Sequence, residues 1–402
     1  MRFETMKIAD LISEISMGPF GSNIKVDCFV DDGIPVLNGS NLEGFVLKEE
    51  SFRFVTEEKA DSLKKANAHR GDVVITHRGT LGQIVFIPKD SLYDRYVISQ
   101  SQFRLRCNDK ILPEYLVYYF HTRIGQHKLL SNASQVGVPA LARASTTFQT
   151  IEIEVPDMDI QRKIVDLLEA IRRKVEINSM INENLLHQAQ AVFVHTFKET
   201  ASTTPATIAD IAINVTDGVH NTVKDDPEGQ YFLLSCKNIK GGSLNIGSSE
   251  RKINSETFEK LRRRTKLAKG DILISSVGTV GELLLLNTEP SNFEFQRSVA
   301  IIKPNPEIVS SAYVYEALVD QKAELINTAH GAVQQCLFIS DISEFPIGIP
   351  NPDSLRSFDE IVLPMFDIIS KNEAENTRLA GIRDVLLPRL MSGDLDVSTL
   401  DL

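Results

Sequence analysis

The chain has 402 residues, with 43 Lys and Arg against 54 Asp and Glu, giving a formal net charge of −11. That length predicts two or three domains, and the composition is that of an ordinary globular chain whose halves can each bury a core. The longest apolar runs, such as Gly281-Glu-Leu-Leu-Leu-Leu286, are strand-sized and too short to span a bilayer. No apolar segment follows Met1-Arg-Phe-Glu-Thr-Met6 to make a signal peptide. The four cysteines (Cys28, Cys107, Cys236, Cys336) are scattered without a CxxC pair, so the sequence predicts buried thiols, no metal site and a cytoplasmic location.

Residues 1–156 read as a strand-rich unit. Asp72-Val-Val-Ile-Thr76, Gln83-Ile-Val-Phe-Ile87 and Phe103-Arg-Leu-Arg106 are short β-rich runs bounded by Gly or Pro. Pro113 opens a helix predicted to run towards Leu130, and a polar loop, Ser131 to Pro139, follows. Thr150-Ile-Glu-Ile-Glu-Val155 alternates as a half-exposed strand does.

Residues 157–200 read as one long helix. Apolar residues fall at Ile160, Ile164, Leu167, Leu168, Ile171, Val175, Ile181, Leu185, Val192 and Phe197, with no Gly or Pro between. The spacing is that of a coiled coil, and at 1.5 Å per residue the helix spans roughly 58 Å. Asn178 sits on the seam, where a buried Asn fixes register at some cost in stability.

Thr200-Ala-Ser-Thr-Thr-Pro-Ala-Thr207 reads as a polar linker, and residues 201–350 then repeat the strand-rich unit. Gly71-Asp72 recurs as Gly270-Asp271, and Gly79-Thr-Leu-Gly82 as Gly278-Thr-Val-Gly281, both 199 residues on. Ile8-Ala-Asp10 recurs as Ile208-Ala-Asp210, and Val155-Pro156 as Ile349-Pro350. The matching helix is Ser311 to Leu318, the matching loop Asn327 to Gln335 and the last strand Phe345 to Ile349. Residues 351–402 hold the second long helix, predicted over 354–391, with Phe358, Ile361, Met365, Ile368, Leu379, Ile382 and Leu386 on its seam and Asn372 matching Asn178. The seam positions are Ile164, Ile171, Asn178 and Leu185 on the first helix and Met365, Asn372, Leu379 and Leu386 on the second. An amphipathic helix of this length cannot bury its stripe alone, so the two helices are expected to pack on each other, antiparallel if the halves are related by a two-fold. The fold class is therefore α+β: two pseudo-repeated strand-rich domains and two long helices forming an antiparallel coiled coil.

An acidic total argues against nucleic-acid binding, but the charge is uneven. Residues 60–106 hold eight bases against four acids, and residues 251–271 hold eight against three. The last 50 residues carry −5. The basic stretches occupy matching places in the two repeats.

This order of parts resembles the specificity subunit of Type I restriction–modification systems. The residues that carry the resemblance are the paired Gly-Asp and Gly-Thr-x-Gly motifs, Ile160-Gln-Arg-Lys-Ile164 after Val155-Pro156, and the ending Leu387-Pro-Arg-Leu-Met-Ser-Gly-Asp-Leu-Asp396. The second helix departs from the pattern, since Ser354-Leu-Arg-Ser-Phe358 lacks the Ile-Gln-Arg-Lys form. The resemblance implies two target recognition domains, each reading half of a split sequence in double-stranded DNA, and a coiled-coil ruler between them. It implies two modification (M) subunits as partners, carrying S-adenosylmethionine and adenine methylation, and restriction (R) subunits that use ATP and Mg, with no cofactor on this chain.

Base reading needs Arg or Lys for guanine and Asn or Gln for adenine, in loops that top the strands. The candidates in the first unit are Ser22, Asn23, Lys25, Asn38, Ser40, Asn41, Arg78, Gln100, Gln102, Gln135 and Arg143. In the second they are His220, Asn221, Lys237, Asn238, Arg264, Gln296, Arg297, Gln334 and Gln335.

No catalytic apparatus is recognisable. Asn305-Pro-Glu307 and Asn351-Pro-Asp353 fail the Asn/Asp-Pro-Pro-aromatic pattern of adenine methyltransferases, no P-loop is present, and the eight His form no metal motif. The alternative reading is a tandem β-rich coiled-coil scaffold for a non-DNA partner, which would not need the matched basic stretches.

Overall fold

The computed structural model describes residues 2–19, 23–134, 137–200, 203–247, 250–331 and 335–399, without the side chains of 199 and 200. Two compact units divide the chain: Met1–Lys174 with Arg378–Leu402, and Val175–Thr377. Each unit takes in part of both long helices.

In the first unit a four-stranded sheet runs in the order Ile12–Met17, Gln102–Cys107, Asp72–Thr76, Ile84–Phe86, with all neighbours antiparallel. A five-stranded sheet of short strands lies between Phe29 and Val97 in sequence. Sequence patterning did not announce it, because strands of two or three residues carry no measurable alternation. The helix expected from Pro113 to Leu130 is two helices, Pro113–His121 and Arg123–Leu130. Thr122 breaks it: its hydroxyl accepts the Gly125 amide (3.0 Å) as an N-cap.

The second unit repeats this plan. Ala212–Asp217, Val299–Pro304, Ile272–Ser275 and Leu283–Leu285 form the same four-stranded order. The stretch expected to be a linker is part of the fold: Thr203–Thr207 pairs antiparallel with Pro346–Pro350, as Phe3–Lys7 pairs with Glu152–Pro156 in the first unit. Its Thr residues suit a strand, and Pro205 is tolerated because a two-stranded ribbon has free edges.

The long helices are Met158–Phe193, followed by a π-helical stretch Val194–Thr200, and Pro352–Ser392. They run antiparallel. In the second unit, Asn178 Nδ2 donates to Asn376 Oδ1 (2.9 Å) and Glu375 Oε2 (2.8 Å), while Asn372 Nδ2 donates to Asn182 Oδ1 (2.8 Å), so residue numbers rise on one helix as they fall on the other. Asn178 is fully buried, and this middle stretch of the seam is polar. Nearer the globular part, Ala189, Phe193 and Phe197 share a core with Phe358, Val362, Phe366 and Ile369, and Leu185 and Met365 pack against it. In the first unit Ile160, Ile164, Val165 and Leu168 share a core with Leu387, Leu390 and Met391, with Leu386 packed against it. Ile171 and Leu379 are half-buried.

The expected stripe on the second helix is one position out. Ile361 and Ile368 are 50% and 44% exposed, while Val362, Phe366 and Ile369 are buried; Ile181 and Ile382 are exposed as well. Two neighbouring apolar stripes both satisfy the three–four spacing, and packing against the rest of the core decides which one is buried.

The globular helices join the same cores. Tyr115, Tyr118 and Phe120 belong to the first, Tyr313 and Tyr315 to the second. Glu316, on the helix Ser311–Asp320, is also buried; one carboxyl oxygen faces the Gln190 amide and the other has no partner. Burial pushes its pKa up to about 8.

Phe358→Ala removes a ring that stacks edge-on against Phe193, Phe197 and Tyr313, and should cost about 3–5 kcal/mol in a urea titration. A loss under 1 kcal/mol would mean that the helix does not contribute to this core. Glu316 binds a proton in the folded state that the unfolded chain has lost, between its ordinary 4.5 and about 8. Stability should therefore fall as pH rises through that window and level off above it. Glu316→Gln should flatten the fall, read from urea midpoints across the pH range; an unchanged slope would rule Glu316 out as its source.

Candidate nucleic-acid interface

The repeated glycine motifs build turns. Asp72 is fully buried, accepting the His69 amide (2.9 Å), Arg106 Nε (2.7 Å) and Arg104 Nη1 (3.4 Å). Asp271 does the same with the Ala268 amide (2.9 Å) and Lys303, although burial still holds its pKa above the usual carboxylate range. Neither aspartate faces solvent as a reactive group would. Gly79 and Gly278 follow the strand at φ +91° and +84°, a conformation that favours glycine.

At the end of the first sheet, where Met17, Thr76 and Gln102 meet, four loops are tied together through their backbones and a fifth through two glutamine side chains. Gly18 N donates to Gln102 O (2.8 Å), His77 N to Ser101 O (2.8 Å), Leu141 N to His77 O (2.9 Å) and Gly79 N to Pro139 O (2.9 Å). Gln102 Nε2 reaches Asn38 O (3.2 Å) and Gln83 Nε2 reaches Gly39 O (3.0 Å). A Cβ at Gly18 would lie 1.9 Å from Ser99 O, so only glycine allows this approach. His77 Nε2 lies 3.2 Å from Gln100 O. Burial is the largest effect on His77 and lowers its pKa, and with a proton on Nε2 the ring donates to that carbonyl.

The second unit builds the same cluster. Gly218 N donates to Val299 O (3.1 Å), Ser276 N to Ser298 O (2.9 Å) and Leu337 N to Ser276 O (2.9 Å). A Cβ at Gly218 would lie 2.1 Å from Phe295 O. Ser276 Oγ donates to Arg297 O (3.3 Å), taking the part of His77. Arg78 bridges Ala140, and at its equivalent Val277 bridges Cys336.

Three expected base readers belong to the frame instead. Asn41 and Asn238 are buried, and each ties its own loop. Asn41 accepts the Asn38 amide (2.9 Å) and donates to Lys48 O (3.0 Å) and Glu50 O (2.8 Å). Asn238 accepts the Ser235 amide (2.9 Å) and donates to Asn245 O (2.8 Å). Gln102 is buried between Ser99 N and Asn38 O. Their amides are spent inside the fold and cannot meet a base edge.

Three others are held by carboxylates. His220 and Arg264 both pair with Asp217 (2.7 and 3.0 Å), and Lys237 pairs with Glu250 (3.0 Å). Asn38 and Ser40 are exposed but bonded to each other. Asn23, Lys25, Asn221 and Gln335 are exposed, and Gln296 is half-buried beside a polar cavity of about 370 Å³ lined by Ser235, Lys237 and Glu250. Arg78, Gln100, Arg143 and Arg297 are exposed, and none of the three arginines has a carboxylate partner among the described residues. Arg143 has φ +47°, a strained conformation for a side-chain-bearing residue. Ser22, Gln135 and Gln334 lie outside the described residues.

The basic stretches are less available than their charge implied. Arg104 is buried against Glu14 (2.6 Å), Arg95 pairs with Asp61 (2.6 Å), Arg70 with Asp94 (2.7 Å) and Arg106 with Asp72. Arg262 pairs with the fully buried Glu294, whose pKa burial raises. These partners lie 24 to 90 residues away in sequence; Glu14 and Glu294 fall outside the two stretches, and for Asp61, Asp72 and Asp94 a charge count does not say which arginine each one holds. Conversely, His77 and Ser276 were passed over, although their place directly after the repeated strand, 199 residues apart, was the available signal.

Among the described residues no group of three or more His, Cys, Asp or Glu could hold a metal, and no helix is long and apolar enough to cross a membrane.

Residues 3–187 match the Type I restriction modification DNA specificity domain family. The chain is 24% identical to the Type I restriction enzyme MjaIX specificity subunit of Methanocaldococcus jannaschii, over 99% of this chain and 94% of that protein. It is 21% identical to the Type I restriction enzyme HindI specificity subunit of Haemophilus influenzae, over 81% of this chain and 87% of that one. The crystal structure of the Type I restriction–modification S subunit from M. genitalium shares the fold, with a TM-score of 0.54 at 15% identity, covering 97% of this chain and 96% of that one. The first unit thus matches the family's DNA specificity domain, and the chain is similar nearly end to end to Type I restriction–modification specificity subunits.

Proposed function

We propose that this chain reads a split target in double-stranded DNA and brings to it two modification subunits that methylate adenine with S-adenosylmethionine. Restriction subunits using ATP and Mg join the same assembly, and the chain itself supplies recognition without catalysis. The observation that carries this reading is the loop cluster made twice. The backbone frame is the same in both units, down to Gly18 and Gly218, while the exposed side chains differ, as two readers of unlike half-sites require.

Arg78, Arg143, Gln100 and Arg297 are the side chains best placed to meet bases or phosphates. Asn23, Lys25, Asn221, Gln296 and Gln335 stand beside them, with the carboxylate-held His220, Lys237 and Arg264 as a second rank. Each long helix is unbroken where the chain passes from one unit to the other, and we assign the helix pair the job of fixing the gap between half-sites. A flexible linker would let that gap vary.

The acidic total fits a subunit that leaves much of the phosphate contact to its partners. The isolated chain should bind a target duplex weakly, with steep salt dependence, and the complex with its modification subunit should bind at least about tenfold tighter at the same salt. Fluorescence anisotropy checks this, and equal affinity with and without the partner would contradict it. Mapping methylated adenines in DNA modified by the complex should give a two-part motif with a constant gap; a single continuous motif would overturn the proposal.

A further inference from the structure

Within the two loop clusters one position is held in the same way in both units. In the first, Gln102 N donates to Ser99 O (3.1 Å), closing a tight turn with Gln100 inside it, and Gly18 N anchors the turn's last carbonyl. In the second, Val299 N donates to Gln296 O (3.0 Å), closing the same turn around Arg297, and Gly218 N anchors it. A side chain from the neighbouring loop then pins the carbonyl of the middle residue: His77 Nε2 at 3.2 Å from Gln100 O, Ser276 Oγ at 3.3 Å from Arg297 O. The backbone is thus fixed at four points while the Gln100 and Arg297 side chains remain exposed and free of any ion pair among the described residues.

A fixed backbone with a free side chain is what selective reading demands, because little ordering cost remains to be met on binding. The two side chains have different chemistry. A glutamine amide offers one donor and one acceptor, matching adenine N7 and N6. An arginine fork offers two donors, matching guanine O6 and N7.

We propose that Gln100 and Arg297 are one and the same specificity-determining position in the two readers, taking an adenine in one half-site and a guanine in the other. This rests on the DNA-reading function proposed above. Among the surface arginines, Arg70 and Arg95 are pinned to aspartates, whereas Arg78, Arg143 and Arg297 are not. Arg297 stands on the same kind of strand end without one, which leaves its fork for a ligand. His77 and Ser276 are positioning residues, acting only through the carbonyl they hold.

The test uses the chain co-produced with its modification subunit and maps methylated sites for the wild type, Arg297→Gln, Gln100→Arg and the two alanine variants. Arg297→Gln should exchange a guanine preference for adenine, or lose it by roughly tenfold or more, at one position of one half-site. Gln100→Arg should do the converse at one position of the other half-site, and each alanine variant should make only its own position degenerate. For any variant that no longer methylates, competition binding with duplexes carrying each base at the mapped positions gives the same readout. Unchanged base preference in either exchange variant, or changes falling in the same half-site, would overturn the assignment. Absence of a two-part motif in the wild type would instead refute the DNA-reading function on which it rests.

Discussion

The burial of two long helical stripes is the constraint on which the rest depends. A single amphipathic helix of 36 or 41 residues leaves its apolar face in water, and neither stripe is buried until the helices meet. The cores that result are not confined to the helices. Phe193, Phe197 and Phe358 pack on Tyr313, and Ile164 and Leu168 share a cluster with Tyr115 and Tyr118. Tyr118 also donates its hydroxyl to Glu169 of the first long helix (2.7 Å). In each unit, therefore, the sheet that carries the loop cluster is welded through one continuous core to the helix pair beside it. A loop cluster so mounted is oriented by the helices, not tethered to them.

The polar middle of the seam has a different role. Asn178, Asn182, Asn372 and Asn376 give up apolar burial for hydrogen bonds that only one register satisfies. Sliding one helix by a turn would leave the buried Asn178 amide nitrogen without its two acceptors, at a cost that apolar contacts alone would not impose.

The sequence made the repeat, the two long helices and their pairing visible, because hydrophobic spacing and the copied Gly-Asp motifs are local. Which of two neighbouring stripes is buried on the second helix was not visible: Ile361 and Val362 fit the spacing equally well, and only the partner decides. Thr203–Thr207 looked like a linker because a strand with one neighbour needs few apolar residues. At the candidate site the contents of the loops could not be ranked from sequence. Asn41 and Asn38 are three residues apart and alike in chemistry, yet one is a buried tie and the other lies at the surface. The basic stretches misled for a similar reason, since only the fold shows which carboxylate each arginine meets.

We propose that the paired helices set the distance between two readers. Lengthening both helices by one heptad, inserted at matching points of the seam, tests it most directly when the methylated sites are mapped. Seven residues add roughly 10 Å of helix, on the order of three base pairs of duplex. The account predicts an active enzyme whose motif keeps the same bases in both half-sites and has a longer gap. An unchanged gap, or altered bases in either half, would contradict it.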